Sequence, residues 1–179
     1  MKSKKGNVVL LIVLVGLMFI LVFAGLLMVI GASVLDFVFD EAVPELTGLG
    51  TVGSANLTEI SGYTLEPVNN VVQNFTWLSG VIYILGLLGL IGLSAAFRMT
   101  GEKWLMSFFF VMMLLLIITC IFISIIYEDF YNGTDEIAIR LQEHTVLSFL
   151  LLYSPAIMSV VGFISGIIMF SGTEQGGFQ

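Results

Sequence analysis

Four stretches of this 179-residue chain run without a charged side chain for long enough to cross a lipid bilayer, and they constrain the fold more than any motif does. A helical crossing takes about 20 apolar residues. The stretches cover about 8–35, 77–97, 104–127 and 145–171, the second stopping at Arg98 and the third at Glu128. Lipid supplies no hydrogen-bond partners, so a crossing segment must satisfy its own backbone, which selects helices. Charged residues make up 11% of the chain, against about 25% in an average soluble domain. That is too little charge to cover a water-soluble surface. The expectation is an all-α fold: an integral membrane four-helix bundle, 1–179 as one domain, with the lipid bilayer as its first partner.

The charges orient these helices. Lys2, Lys4 and Lys5 precede the first stretch, and Arg98 and Lys103 flank the link between the second and third, so five of the six basic residues share one side. The positive-inside rule makes that side cytoplasmic and places both termini there. The opposite segments, 36–76 and 128–144, hold Asp36, Asp40, Glu41, Glu45, Glu59 and Glu66, then Glu128, Asp129, Asp135, Glu136 and Glu143, against Arg140 alone. The sequons at Asn56, Asn74 and Asn132 also fall in these outer segments and are candidate glycosylation sites. At the start of the chain, charge followed by an apolar run is similar to a signal peptide, and Lys4-Lys5-Gly6 to a pilin processing site. The run is long for a signal peptide, and three further spans follow it, so an uncleaved first helix is expected.

The helices are expected to continue past the membrane into a short acidic outer cap. The first should extend through Asp36 to Asp40 and end before Pro44. Pro67 suits the first turn of a helix leading into the second span. Residues 47–64, rich in Gly, Ser and Thr, read as a loop. Asn132-Gly133 reads as a turn and Thr134 as the N-cap of a helix that runs from about Asp135 into the fourth span. On that helix Glu136 can pair with Arg140.

Helices in lipid associate through small side chains that allow close approach. Candidate packing positions are Gly25 and Ala32 on the first span, Gly86, Gly89, Gly92 and Ala96 on the second, and Ser159, Gly162 and Gly166 on the fourth. They serve either packing within the chain or contact with another copy or another membrane subunit. Pro155 removes a backbone donor inside the fourth span and is the expected kink.

The chemistry that is missing narrows function. Cys120 is the only cysteine and His144 the only histidine, so thiolate cages and histidine pairs within one chain are excluded. No ionisable side chain lies in the four cores, which argues against proton relays and ion-coupled transport. A site made from backbone carbonyls at a broken helix escapes that argument. Cys120 reads as a small buried apolar residue and His144 as a solvated interfacial one. The acids Glu128, Asp129, Asp135 and Glu136 lack the spacing of a calcium loop. No catalytic motif or phosphate-binding loop is present, so no enzymatic activity, cofactor or metal is expected. A net charge of −7 argues against a nucleic-acid partner.

The Lys-Lys-Gly-led first helix, the acidic outer segment and three closely spaced further spans resemble the small four-span membrane proteins of archaea and their viruses or mobile elements. The resemblance is one of layout across the whole chain, and it transfers no functional residue. The four-span topology is also similar to that of tetraspanins and claudins, whose paired outer-loop cysteines this chain lacks. The leading expectation is a noncatalytic structural or accessory protein of a cellular membrane complex or a virion membrane. An oligomeric, holin-like pore and a small solute transporter are the alternatives.

Overall fold

The computed structural model describes residues 4–53, 55–97 and 103–171, and Lys2 and Arg98 of the charge argument lie outside them. Among the described residues the chain is all-α, apart from one two-residue ribbon. Helix α1 spans Lys4–Gly48 and α2 Leu57–Ala96. Between them β1, Thr51–Val52, pairs antiparallel with β2, Ala55–Asn56. Helices α3 (Lys103–Tyr131), α4 (Glu136–Glu143), α5 (Thr145–Leu152) and α6 (Ser154–Phe170) follow. Among the described residues three helices are long and apolar enough to cross a membrane: α1 from Val8, α2 from Trp77, and α3 from Trp104. The pair α5 and α6 makes a fourth candidate if it counts as one bent span.

Two expected helix ends are overturned. Helix α1 does not stop before Pro44 but carries it inside and continues to Gly48. A helical proline leaves the carbonyl four residues back without its donor. Here the helix persists because α2 packs along it, and the Thr47 hydroxyl donates to the carbonyls of Val43 and Pro44, both at 2.9 Å, securing the last turn. Helix α2 likewise starts ten residues before Pro67, which lies within it. Its N-cap is Asn56, whose Oδ1 accepts from the Glu59 amide at 3.3 Å. Most of the expected 47–64 loop is therefore helix. The true turn is short and uses Gly50 and Gly53 at φ of +61° and +65°, a region that favours glycine.

The last third is also redrawn. Asp135, not Thr134, caps α4, its carboxylate accepting from the Ala138 amide at 3.3 Å. The helix expected to run from there into the fourth span is interrupted at His144 and again at Tyr153, where α5 and α6 meet at 74°. Pro155 sits in the first turn of α6, where a missing N–H costs nothing.

The core follows from apolar faces meeting. Helix α1 packs along α2, α3 against α6, and α2 against α6. Leu11, Met18, Tyr83, Phe109, Leu116 and Met158 are among the buried side chains. At the end near the chain termini the rings of Phe109 and Phe170 meet edge to face at 5.7 Å.

Candidate functional site

The small residues separate into two groups by what surrounds them. A Cβ placed on Gly25 would fall 2.5 Å from the Tyr83 ring, one on Gly86 2.6 Å from Leu21, and one on Gly166 2.9 Å from Phe109. Gly162 is covered by the end of Met113. Ala32 is buried too, and the Ser159 hydroxyl donates back to the Pro155 carbonyl at 2.6 Å. The four glycines let neighbouring helices of the same chain approach. Gly89 and Gly92 have open space where a side chain would stand, and Ala96 beside them is exposed. Sequence reasoning missed Gly80, where a Cβ would lie 2.7 Å from Val146 of α5. The signal available was one more glycine in the second span.

The bend between α5 and α6 is fastened to α3 by hydroxyls. Ser124 donates to the Leu152 carbonyl at 2.5 Å, and Ser154 donates to the Cys120 carbonyl at 3.5 Å. Ser148 donates to the Leu141 carbonyl at 2.7 Å, and its hydroxyl meets that of Tyr127 at 2.6 Å. Polar groups freed by the breaks at His144 and Tyr153 thus find partners inside the protein, as burial away from water demands. Thr119, by contrast, bonds back to Leu115 of its own helix at 2.9 Å.

A charged cluster forms where α4 crosses α1, beyond the first apolar stretch. Arg140 bridges to Asp40, 100 residues earlier, and approaches Glu143 at 3.6 Å. The expected Glu136–Arg140 pair gives way to this one. A cleft of about 310 Å³ lies here, lined by Phe37, Asp40, Glu41, Glu136, Ile139, Arg140 and Glu143. His144 is buried rather than solvated, and so is Asp36, one residue past the uncharged stretch. Burial raises the Asp36 carboxyl above the ordinary carboxylate range, while His144 and Arg140 nearby pull it back down. Nothing local in the sequence announces this group, because its members come from two distant segments. Among the described residues no set of three or more His, Cys, Asp or Glu side chains is placed to hold a metal ion.

Asn56, Asn74 and Asn132 are all exposed. Asn56 lies at the tip of the α1–α2 hairpin and Asn132 between α3 and α4. The Asn74 amide donates to the Asn70 carbonyl at 2.7 Å along α2. No protein-family model, curated protein or solved structure matches this chain.

Proposed function

We propose that the chain is a noncatalytic structural or accessory subunit of a membrane assembly, cellular or virion. In this reading four helices form a bundle in the bilayer, both termini are cytoplasmic and the hairpin end, with its acidic cap, lies outside. The observation that carries it is the reach of α1 and α2 beyond their apolar spans. Gly25 against Tyr83 and Leu21 against Gly86 set the register of the hairpin, by which Trp77 stands level with roughly Gly31. The rest of α1 and the first half of α2 then form an arm about 25 Å long, at 1.5 Å per residue. The arm exposes Leu49, Ile60, Tyr63, Val68 and Val71. Apolar surface standing in water is a mark of interaction.

The hydroxyls that would line a pore, Ser79, Ser94, Thr119 and Ser124, give that reading little support. Ser79 and Ser94 are buried, Ser124 is engaged by the bend and Thr119 bonds to its own helix. The broken fourth span is the feature that favours a transporter, since broken helices hold solute in such folds. Here its Leu152 carbonyl already accepts from Ser124, which favours a fastened bend over a vacant site.

Extraction in mild detergent, followed by native mass determination and crosslinking in membranes, tests the proposal. It expects a mass above that of the single chain. A bare monomer with no crosslinked partner overturns it. A current from the purified protein in planar bilayers would favour the pore instead.

A further inference from the structure

The outward face of α2 continues from the arm into the span, and it is apolar except at Thr64, Pro67 and Asn74, all exposed. At 100° per residue, Ile60, Val71, Leu78 and Leu85 point within about 40° of one direction, and so do Gly89, Gly92 and Ala96. Exposure agrees: Val71 is 67% exposed, Leu85 60% and Ile60 49%, and the two glycines have nothing within 4 Å of a would-be Cβ. Helices α1, α5 and α6 occupy the other side, where Val72, Ser79, Gly80 and Tyr83 are buried. No charged side chain lies on the stripe. Glu59 and Glu66 flank it, turned away by about 100–120°.

We infer that this face of α2 binds the same face of a second copy of the chain, making a parallel two-fold dimer. The inference rests on the membrane-subunit reading above. The occupant must be a helix that crosses the bilayer and remains helical for tens of ångströms outside it, with apolar side chains opposite Ile60, Val71, Leu78 and Leu85 and tolerance for Thr64, Pro67 and Asn74 between them. A second copy of α2 meets that requirement residue for residue, because copies inserted in one orientation place equal numbers at equal depth. Such an isologous contact is the commonest symmetry of soluble oligomers. From Ile60 to Ala96 the stripe is about 55 Å long and a helix about 10 Å wide. Face to face this buries about 1,100 Å² in total, just above the roughly 1,000 Å² a specific interface needs. Within the bilayer Gly89 and Gly92 let the two backbones close together, as small residues do in lipid.

Single cysteines in the full chain, oxidised in native membranes, test this. Cys120 is buried, so the native thiol is silent. Val71→Cys, Leu85→Cys and Gly89→Cys are expected to give disulfide-linked dimers at least tenfold more than Phe122→Cys on α3 or Val160→Cys on α6, both exposed away from the stripe. Equal crosslinking from all five overturns the inference. If the α2 cysteines give no dimer while the native mass still exceeds one chain, the inference falls and the subunit reading stands; a monomeric mass removes both. A second variant guards against misfolding: Gly89→Leu with Gly92→Leu adds side chains into open space. It is expected to lower the dimer fraction at least tenfold with the monomer's melting unchanged, and an unchanged dimer fraction overturns the inference.

Discussion

The Ser124 hydroxyl of α3 donates to the carbonyl of Leu152, the last residue of α5, across 2.5 Å. That bond fastens one side of the 74° bend to the neighbouring helix. Ser124→Ala leaves the carbonyl without this donor in a setting that offers little water. The expected loss is about 1 kcal/mol, in the range of hydrogen bonds between helices in lipid. Thr119→Ala, on the same helix but bonded to its own turn, is expected to cost less than half of that. Reversible unfolding of the two variants in mixed micelles separates them, and equal losses would show that the bond does not hold the bend.

Glycine substitutions should follow the rigidity of what each new methyl group meets. Gly25→Ala presses on the flat ring of Tyr83 and Gly80→Ala on the β-branched Val146, side chains with little room to turn. Each is expected to cost about 1–3 kcal/mol, as overpacked cores do. Gly162→Ala meets the flexible end of Met113, which can swing aside, and should cost less than either. Gly89→Ala, into open space, should leave the monomer's melting temperature within error of the wild type. Thermal unfolding of the four variants in one detergent gives the ranking.

These contrasts show where the sequence was readable. The apolar stretches beginning near Val8, Trp77 and Trp104 were plain because each is its own evidence, a run with no charge in it. The ends were not, because Pro44 and Pro67 argue locally for a boundary while packing between α1 and α2 carries the helix through both. A proline costs about 3 kcal/mol in a helix interior, and many contacts along a long hairpin offset it. Gly25 and Gly89 look alike in sequence, and only the neighbour of each tells internal packing from an open face. The Asp40–Arg140 pair was hidden for a related reason: Glu136 stands four residues from Arg140, but α1 brings Asp40 closer in space.

The side chains of Arg140 and Asp40 are 27% and 33% exposed, so solvent screens their attraction. A double-mutant cycle with Arg140→Gln and Asp40→Asn is expected to give a coupling of no more than about 1 kcal/mol. The clearer consequence is local. Arg140→Gln leaves Asp40 and Glu143 without their shared cation, and α4 should open more readily from α1. Amide exchange over 136–143 is expected to rise severalfold while the α3 span stays protected; unchanged exchange in α4 would mean that apolar contacts from Ala138 and Leu141 hold it alone.

Asp36 sets the sign of one pH effect. Burial raises its pKa in the folded protein above the ordinary 3.8, so the folded state holds the proton more tightly than the unfolded chain does. The stability this group contributes is complete below about 3.8 and is lost as the pH rises through the higher folded value. Asp36→Asn keeps the shape and removes the buried charge. It is expected to be more stable than the wild type at neutral pH, and the difference should shrink on acidification toward 3.8. Melting of both proteins between neutral and acid pH checks this. A variant less stable at neutral pH would mean that attraction to His144 and Arg140 outweighs the cost of burial.

The arrangement across the membrane can be tested without any knowledge of a partner. Thr51 at the hairpin tip and Asn132 between α3 and α4 are both exposed, and the fold places them at the same end of the molecule. Lys5 lies near the opposite end of α1, more than 40 residues away along a helix whose apolar run separates the two. In a Cys120→Ala background, Thr51→Cys and Asn132→Cys should react with a membrane-impermeant maleimide added outside intact cells, and Lys5→Cys only after the membrane is opened. The acids concentrated at the hairpin end and the lysines before the first span both favour this sidedness. Labelling of Lys5→Cys from outside, with Thr51→Cys protected, would invert the molecule. The internal packing of the helices would survive that result, but the arm of the proposed reading would then lie in the cytoplasm.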